Sequence, residues 1–179
     1  LGMGLIGIQG SALLFGGVAV LLTWLAGAGK GRGLNTIVLS GIMIGSLFSA
    51  LVSLVKYTAD TESQLPAITY WLMGGLSAVN TMDVLLFLPV LICGVIPLFL
   101  LRWQLNAMAF GEEEALVMGL NTKRLRAIFI LAATLLTASS VAICGMIGWI
   151  GLVIPHLTRM LVGPNYKNLM PASFLIGGI

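Results

Sequence analysis

The stretch Leu34–Val55, LNTIVLSGIMIGSLFSALVSLV, decides the fold, because it contains no charged side chain from end to end. A helix needs about 20 apolar residues to cross the hydrocarbon core of a bilayer. A β-strand is excluded, since unpaired strand edges cannot face lipid. The stretch therefore predicts a membrane-spanning helix over 34–55.

The rest of the chain repeats this pattern. Of its 179 residues, 59% are hydrophobic and 8% are charged, whereas a soluble domain carries about a quarter charged residues. Further uncharged runs predict spans at 4–28, 84–101 and 127–147, and another begins near Pro171. We expect an all-α polytopic membrane protein with four complete transmembrane helices plus the start of a fifth. The range 1–179 would be a single partial domain, a piece of a longer chain.

Positive charges in short loops predict the orientation, because cytoplasmic loops carry an excess of Lys and Arg. The loop at 29–33 holds two such residues, and the segment 102–126 holds four: Arg102, Lys123, Arg124 and Arg126. These two segments are two crossings apart, so both are predicted to be cytoplasmic. Segments 56–83 and 148–170 are then predicted to be extracytoplasmic, although Arg159 and Lys167 in the latter depart from the rule.

One face of the 34–55 helix carries small residues at every fourth position: Gly41, Gly45, Ser49 and Ser53. Small side chains at this spacing let two helix backbones approach closely. The pattern predicts a packing face, most simply for another helix of the same chain.

The charged stretch between the third and fourth spans predicts two short, capped helices. Glu112, Glu113 and Glu114 open the first helix, where the helix dipole favours negative charge, and Gly119 can end it in the left-handed conformation. Asn121 and Thr122 can cap a second short helix, whose basic residues lead into the next span. The stretch is longer than a simple connector needs, so we expect a rigid cytoplasmic knob.

The sequence offers no catalytic or metal-binding constellation. Cys93 and Cys144 lie in apolar runs, where cysteine most often packs as a small hydrophobe. The G-x-G-x-x-G match at 2–7 follows no strand, and Gly-Lys-Gly at 29–31 lacks the other residues of a phosphate loop. His156 and Arg159 follow Pro155 and would share one helix face, but a lone histidine is more often structural. The net charge of +3 is too scattered to indicate nucleic-acid binding.

The segment after the fourth span resembles a signature of the permease subunits of iron-siderophore, haem and cobalamin ABC importers (FecCD-type). The family pattern is an apolar run to Pro-His, then Arg, Gly-x-Asp/Asn and Leu-Leu-Pro-x-Ser. The chain has Ile150–Arg159 (IGLVIPHLTR), Gly163–Asn165 (GPN) and Leu169–Ser173 (LMPAS) in that order, with Trp149 where the family more often has Phe.

Two further segments carry the same resemblance. Glu114–Arg124 is similar to the family's coupling segment, and Tyr70–Leu76 (YWLMGGL) is similar to its outer-loop helix. The resemblance covers essentially the whole chain but only about half of the family's ten-helix length, from the fourth helix to the start of the eighth.

This resemblance implies the translocation subunit of an ATP-driven importer in the bacterial cytoplasmic (inner) membrane, in contact with lipid. Its cargo would be a metal chelate or cobalamin. Its partners would be a second permease subunit, identical or homologous, two cytoplasmic ATPase subunits and an extracytoplasmic substrate-binding protein. ATP and Mg would bind to the ATPase subunits, so this chain would hold no cofactor.

The resemblance also assigns roles to residues. The ATPase would be contacted by Glu112, Glu113, Glu114, Ala115, Met118, Gly119, Leu120, Asn121 and Arg124. The 34–55 helix would line the pathway, packed through its small-residue face. The outer rim that meets the binding protein would include Trp71, Pro155, His156 and Arg159.

Three other classes of membrane protein stay open from the residues alone. A secondary transporter usually places ionisable residues within its spans, and the predicted complete spans carry none. An intramembrane hydrolase would need a buried nucleophile paired with a base. A purely structural subunit would leave the two-helix knob without a purpose.

Overall fold

The computed structural model describes residues 5–27, 34–77 and 79–179, and every regular element in these ranges is a helix. The elements are α1 (Leu5–Gly27), α2 (Leu34–Thr58), α3 (Gln64–Met73), α4 (Thr81–Leu100), α5 (Arg102–Ala109), α6 (Glu112–Val117), α7 (Thr122–Cys144), α8 (Ile150–Val162) and α9 (Tyr166–Gly177). The loop predicted at 29–33 lies outside the described residues, as do the Gly-Lys-Gly match at 29–31 and most of the glycine motif at 2–7.

Four of these helices, α1, α2, α4 and α7, are long and apolar enough to cross a membrane. This confirms the four complete spans predicted from the uncharged runs. Between 6% and 17% of each apolar window is buried, so most of these side chains face outward. Apolar surface on this scale belongs in lipid or against other helices.

The helix ends differ from the predicted ends, because polar residues extend the spans beyond the apolar core. The second span continues to Thr58 and the third begins at Thr81. The Asp83 carboxylate accepts a hydrogen bond from the backbone N–H of Asn80 at 3.1 Å, which satisfies one of the free donors at the start of α4. The last helix begins at Tyr166 rather than near Pro171, because the Asn165 side chain accepts from the N–H of Lys167 and caps it.

The chain divides into two compact units. The first consists of Leu1–Val84 with Thr137–Met146. Within it α1 and α2 pack closely around Gly27, whose Cβ, if present, would lie 2.9 Å from Cγ1 of Ile37. The buried Ser40 hydroxyl donates to the carbonyl of Thr23 at 3.1 Å, which adds a polar link between the two helices.

The second unit consists of Leu85–Leu136 with Ile147–Ile179. In this unit α4 meets α7 at Gly94, where a Cβ would lie 2.8 Å from Cγ of Leu136. Helices α8 and α9 pack against each other, with Thr158 and Leu169 buried. The short helices α5 and α6 also belong to this unit, and they provide the candidate functional site.

Candidate functional site

The approach to α6 turns at Gly111, which has φ +132°, a conformation that favours glycine. A Cβ at this position would collide with Oε2 of Glu114, because the Glu114 side chain folds back over the turn. Glu114 is the third residue of α6, the position from which an acid supports a helix N-terminus. The Glu114 side chain could move aside, but φ +132° with ψ 160° is a backbone conformation that essentially only glycine adopts. This requirement gave no signal in the sequence.

The end of α6 is a complete Schellman turn. Gly119 has φ +80°, its N–H donates to the carbonyl of Leu116 at 2.9 Å, and the N–H of Leu120 donates to the carbonyl of Ala115 at 3.1 Å. These two bonds satisfy carbonyls that a helix of six residues would otherwise leave open. The predicted left-handed cap at Gly119 is confirmed.

The second short helix that we predicted after Asn121 is wrong as a separate element. The Asn121 side chain does cap a helix, since its Oδ1 accepts from the N–H of Arg124 at 3.1 Å, but that helix is α7 itself. Arg126 in α7 forms an ion pair with Glu112 in α6 at 2.6 Å. The basic residues are therefore the beginning of a span, and the second short helix of the segment is α5.

The exposed surface of α6 is both acidic and apolar. Glu112, Glu113 and Glu114 are exposed, and their contact with an ATPase stays a prediction. Ala115 is fully buried and can only anchor the helix. Val117, 89% exposed, and Leu116, 55% exposed, project from the last turn beside Met118. These two residues were missed, because nothing in the sequence separates an exposed apolar side chain from the spans around it.

A side-chain clasp joins α5 to the turn between α8 and α9. The amide nitrogen of Asn106 donates to Oδ1 of Asn165 at 3.0 Å, and its amide oxygen accepts from the backbone N–H of Tyr166 at 2.9 Å. The hydroxyl of Tyr166 accepts from the guanidinium of Arg159 at 3.4 Å. We call Arg159, Gly163, Asn165 and Tyr166 the α8–α9 corner.

This clasp contradicts the prediction that segments 102–126 and 148–170 lie on opposite sides of a membrane. The hydrocarbon core is about 30 Å thick, and hydrogen bonds of 3.0 Å and 2.9 Å cannot cross it. Arg159 contacts Tyr166 and so lies at the corner beside α5, not at an opposite rim. The chain must return toward α5 along α8.

A second close junction lies at the other end of α7. The N–H of Gly75 donates to the carbonyl of Cys144 at 2.7 Å. A Cβ on Gly145, φ +71°, would collide with the carbonyl oxygen of Trp71, and one on Gly74, φ +65°, would collide with the carbonyl oxygen of Met146. An open groove of about 360 Å³ lies here, lined by residues of 67–77 and 143–145. Trp71, a predicted rim residue, is part of this junction.

The remaining predicted site residues are not gathered into one site. Of the small-residue face of α2, a Cβ on Gly41 would contact Thr23 of α1 at 3.6 Å, whereas Gly45 has nothing within 4 Å. Ser49 and Ser53 are exposed. His156 is exposed as well, and Pro155 lies inside α8. Within the described ranges no group of three or more His, Cys, Asp or Glu side chains could hold a metal ion.

Comparison with known proteins gives a consistent set of matches. Residues 1–179 match the model of the FecCD transport family. The molybdate import system permease protein MolB of Haemophilus influenzae is 43% identical over 178 residues, covering 98% of this chain and 52% of that protein. The Fe(3+) dicitrate transport system permease protein FecC of Escherichia coli is 34% identical over 164 residues, covering 90% of this chain and 49% of that protein.

A solved structure, described as an inward-facing conformation of a metal-chelate type ABC transporter, matches with a TM-score of 0.89 and 42% identity. It covers 98% of this chain, which corresponds to 56% of the solved chain. The chain thus spans about half the length of the curated relatives it matches.

Proposed function

Because this chain belongs to the FecCD transport family, we propose that it is the part of an importer's translocation subunit that receives the movement of a cytoplasmic ATPase. The observation that carries the proposal is α6. It is a helix of six residues, closed at both ends by glycines with positive φ, and it exposes acids and apolar side chains together. A structural connector has no need of such a surface.

The mechanism follows from how α6 is fixed. The Schellman turn joins it directly to the capped start of α7, and the pair between Glu112 and Arg126 braces the two helices. A push on α6 by a closing ATPase dimer would therefore pass to a membrane-spanning helix with little loss in the connection. The predicted contacts Met118, Leu120 and Arg124 surround this turn, and Leu116 and Val117 extend the surface.

We further propose that α5, α6 and the α8–α9 corner face the cytoplasm, and that α3 and the end of α7 face outward. This arrangement places Arg159 and Lys167 on the same side as Arg102, Lys123 and Arg124, which agrees with the distribution of Lys and Arg expected for cytoplasmic segments. It leaves the outward side to the α3–α7 junction, with Trp71, for contact with an extracytoplasmic binding protein.

The cargo that we propose is a metal chelate, such as an iron-siderophore complex or haem, or cobalamin. Molybdate is the second candidate, because a relative of 43% identity is named for molybdate import. Among the described residues, no cluster of metal-ligating side chains favours one cargo over another.

The test is to purify the full-length protein from membranes and assay it for vanadate-sensitive ATPase activity. A stoichiometric ATPase partner, lost when residues 111–120 are replaced by a flexible linker of equal length that leaves α7 intact, would support the proposal. Uptake into proteoliposomes with the binding protein, using ferric siderophore, haem, cobalamin and molybdate in turn, would identify the cargo. Uptake driven by an ion gradient without any ATPase would instead favour a secondary transporter.

A further inference from the structure

In the clasp, both polar atoms of the Asn106 amide form hydrogen bonds, the nitrogen as a donor and the oxygen as an acceptor. The N–H of Tyr166 requires an acceptor, which fixes the Asn106 oxygen, and its nitrogen must then face Asn165. The Asn165 oxygen is fixed in turn, because it also accepts from the N–H of Lys167 at 2.9 Å. Backbone N–H donors therefore fix the orientation of both side-chain amides, and only one arrangement of Asn106 and Asn165 satisfies all of these hydrogen bonds.

The clasp joins two segments that are distant in sequence, since Asn106 and Asn165 are 59 residues apart. It binds the first turn of α9, where the backbone N–H groups have no partner within the helix. In the described part of the chain no ion pair joins α5 to α9, so this amide provides the specific polar link between them. The exposed pair between Glu112 and Arg126 connects α6 only to α7 and is screened by salt.

We propose that Asn106 is a positioning residue that makes α5, α6 and the α8–α9 corner move as one body when the ATPase acts. This inference rests on the proposed function. Movement of α6 would then reach α8 and α9 through the clasp, in addition to α7 through its N-terminus. Without the clasp, α6 could still bind the ATPase, but the α8–α9 corner would no longer move together with α6.

The test measures whether the segment around α6 and the α8–α9 corner keep a fixed distance from each other. Spin labels are attached at Phe110→Cys, beside α6, and at Leu161→Cys, at the end of α8. Both native side chains are 74% exposed. The sample is the full-length complex with its other cysteines replaced. Electron paramagnetic resonance then gives the label distance without nucleotide and with ATP and vanadate. We expect one dominant distance in both states for the parent. In Asn106→Ala we expect the ratio of the displaced to the clasped population to be about tenfold higher than in the parent.

Two matched variants separate positioning from general damage. Asn168→Ala removes an exposed amide from the same turn that makes no clasp, and it should keep the parent distance. Asn165→Asp keeps an acceptor for both Asn106 and Lys167, so it should also keep that distance. Should Asn106→Ala fail to fold, Asn106→Asp retains the bond from the Tyr166 N–H, loses the donor, and should give the displaced population.

An unchanged distance distribution in Asn106→Ala and Asn106→Asp would overturn the inference, as would a nucleotide-dependent separation already present in the parent. The result is distinguishable from failure of the proposed function. A parent protein without vanadate-sensitive ATPase activity refutes the importer assignment, while its nucleotide-free label distances still report whether Asn106 holds the two segments together.

Discussion

Replacement of Gly119 tests the coupling segment most directly. Its φ of +80° lies in the left-handed region, and a Cβ there would meet nothing within 4 Å. Alanine would therefore fit the space, and its whole penalty would be conformational, about 1–2 kcal/mol for an L residue. Asparagine tolerates this conformation better than alanine. The two variants differ in backbone preference while leaving the surrounding contacts intact.

The penalty is large relative to the stability of α6. Helices shorter than about 12 residues are marginal in water, and α6 has six, so the Schellman turn supplies a substantial part of what keeps it folded. A loss of about 1–2 kcal/mol changes the ratio of folded to unfolded α6 by a factor of about 5–30. We expect Gly119→Ala to weaken binding of the ATPase by up to that factor, because only the folded α6 binds, and Gly119→Asn to weaken it much less.

The assay is titration of the purified ATPase subunit onto the full-length permease in nanodiscs. Gly119→Arg carries the same conformational penalty and adds a bulky cation beside the acidic face, so it should insert normally and fail to copurify with the ATPase. Equal affinities for the parent and the alanine and arginine variants would refute the argument. An asparagine variant as weak as the alanine variant would show that the left-handed conformation is not the cause.

Two further predictions concern the segments around α3. Gly145→Ala should lower the free energy of unfolding of the purified protein by about 1–3 kcal/mol, because its Cβ would collide with the carbonyl of Trp71. The control is Gly148→Ala, because a Cβ at that position meets open space. Equal melting temperatures of the two variants would contradict the clash. The Ser63 hydroxyl and N–H hold the pKa of Asp60 below 3.8. The stabilisation by this pair is therefore complete above pH 3.8 and is lost as pH falls through the lowered pKa. Ser63→Ala should raise this pKa toward 3.8 in a carbon-13 NMR titration, and an unchanged value would disprove the assigned cause.

The sequence predicted features that depend on local chemistry. Uncharged runs predicted the spans, since the absence of charge over the width of a bilayer allows few alternatives. Gly119 was predicted as a cap because a residue without a Cβ adopts the left-handed conformation readily, and the structure confirms it. Asn121 was predicted as a cap because its side-chain oxygen can accept from a backbone N–H, and it does cap a helix, although that helix is α7 and not a separate short one. Gly145 gave no such signal, because its requirement comes from Trp71, which is distant in sequence.

The side assigned to segment 148–170 was wrong for a related reason. Its evidence was a count of crossings from uncharged runs, and that count placed no span within 148–170. The hydrogen bonds that correct it run from Asn106 to residues about 60 positions away. Hydropathy cannot indicate such a contact, although Arg159 and Lys167 were already inconsistent with an outward position.

The correction also changes what α8 does. A helix of 13 residues is about 20 Å long, which is less than the hydrocarbon core of about 30 Å. In the topology that we propose, the non-helical residues 146–149 would therefore cover part of the crossing. Non-helical backbone at that depth is tolerated only where protein surrounds it. Trp149, with φ +65°, belongs to this stretch. In that topology we expect Pro155 and His156 to lie within the crossing rather than on the outer rim, with the His156 side chain exposed on the surface of α8.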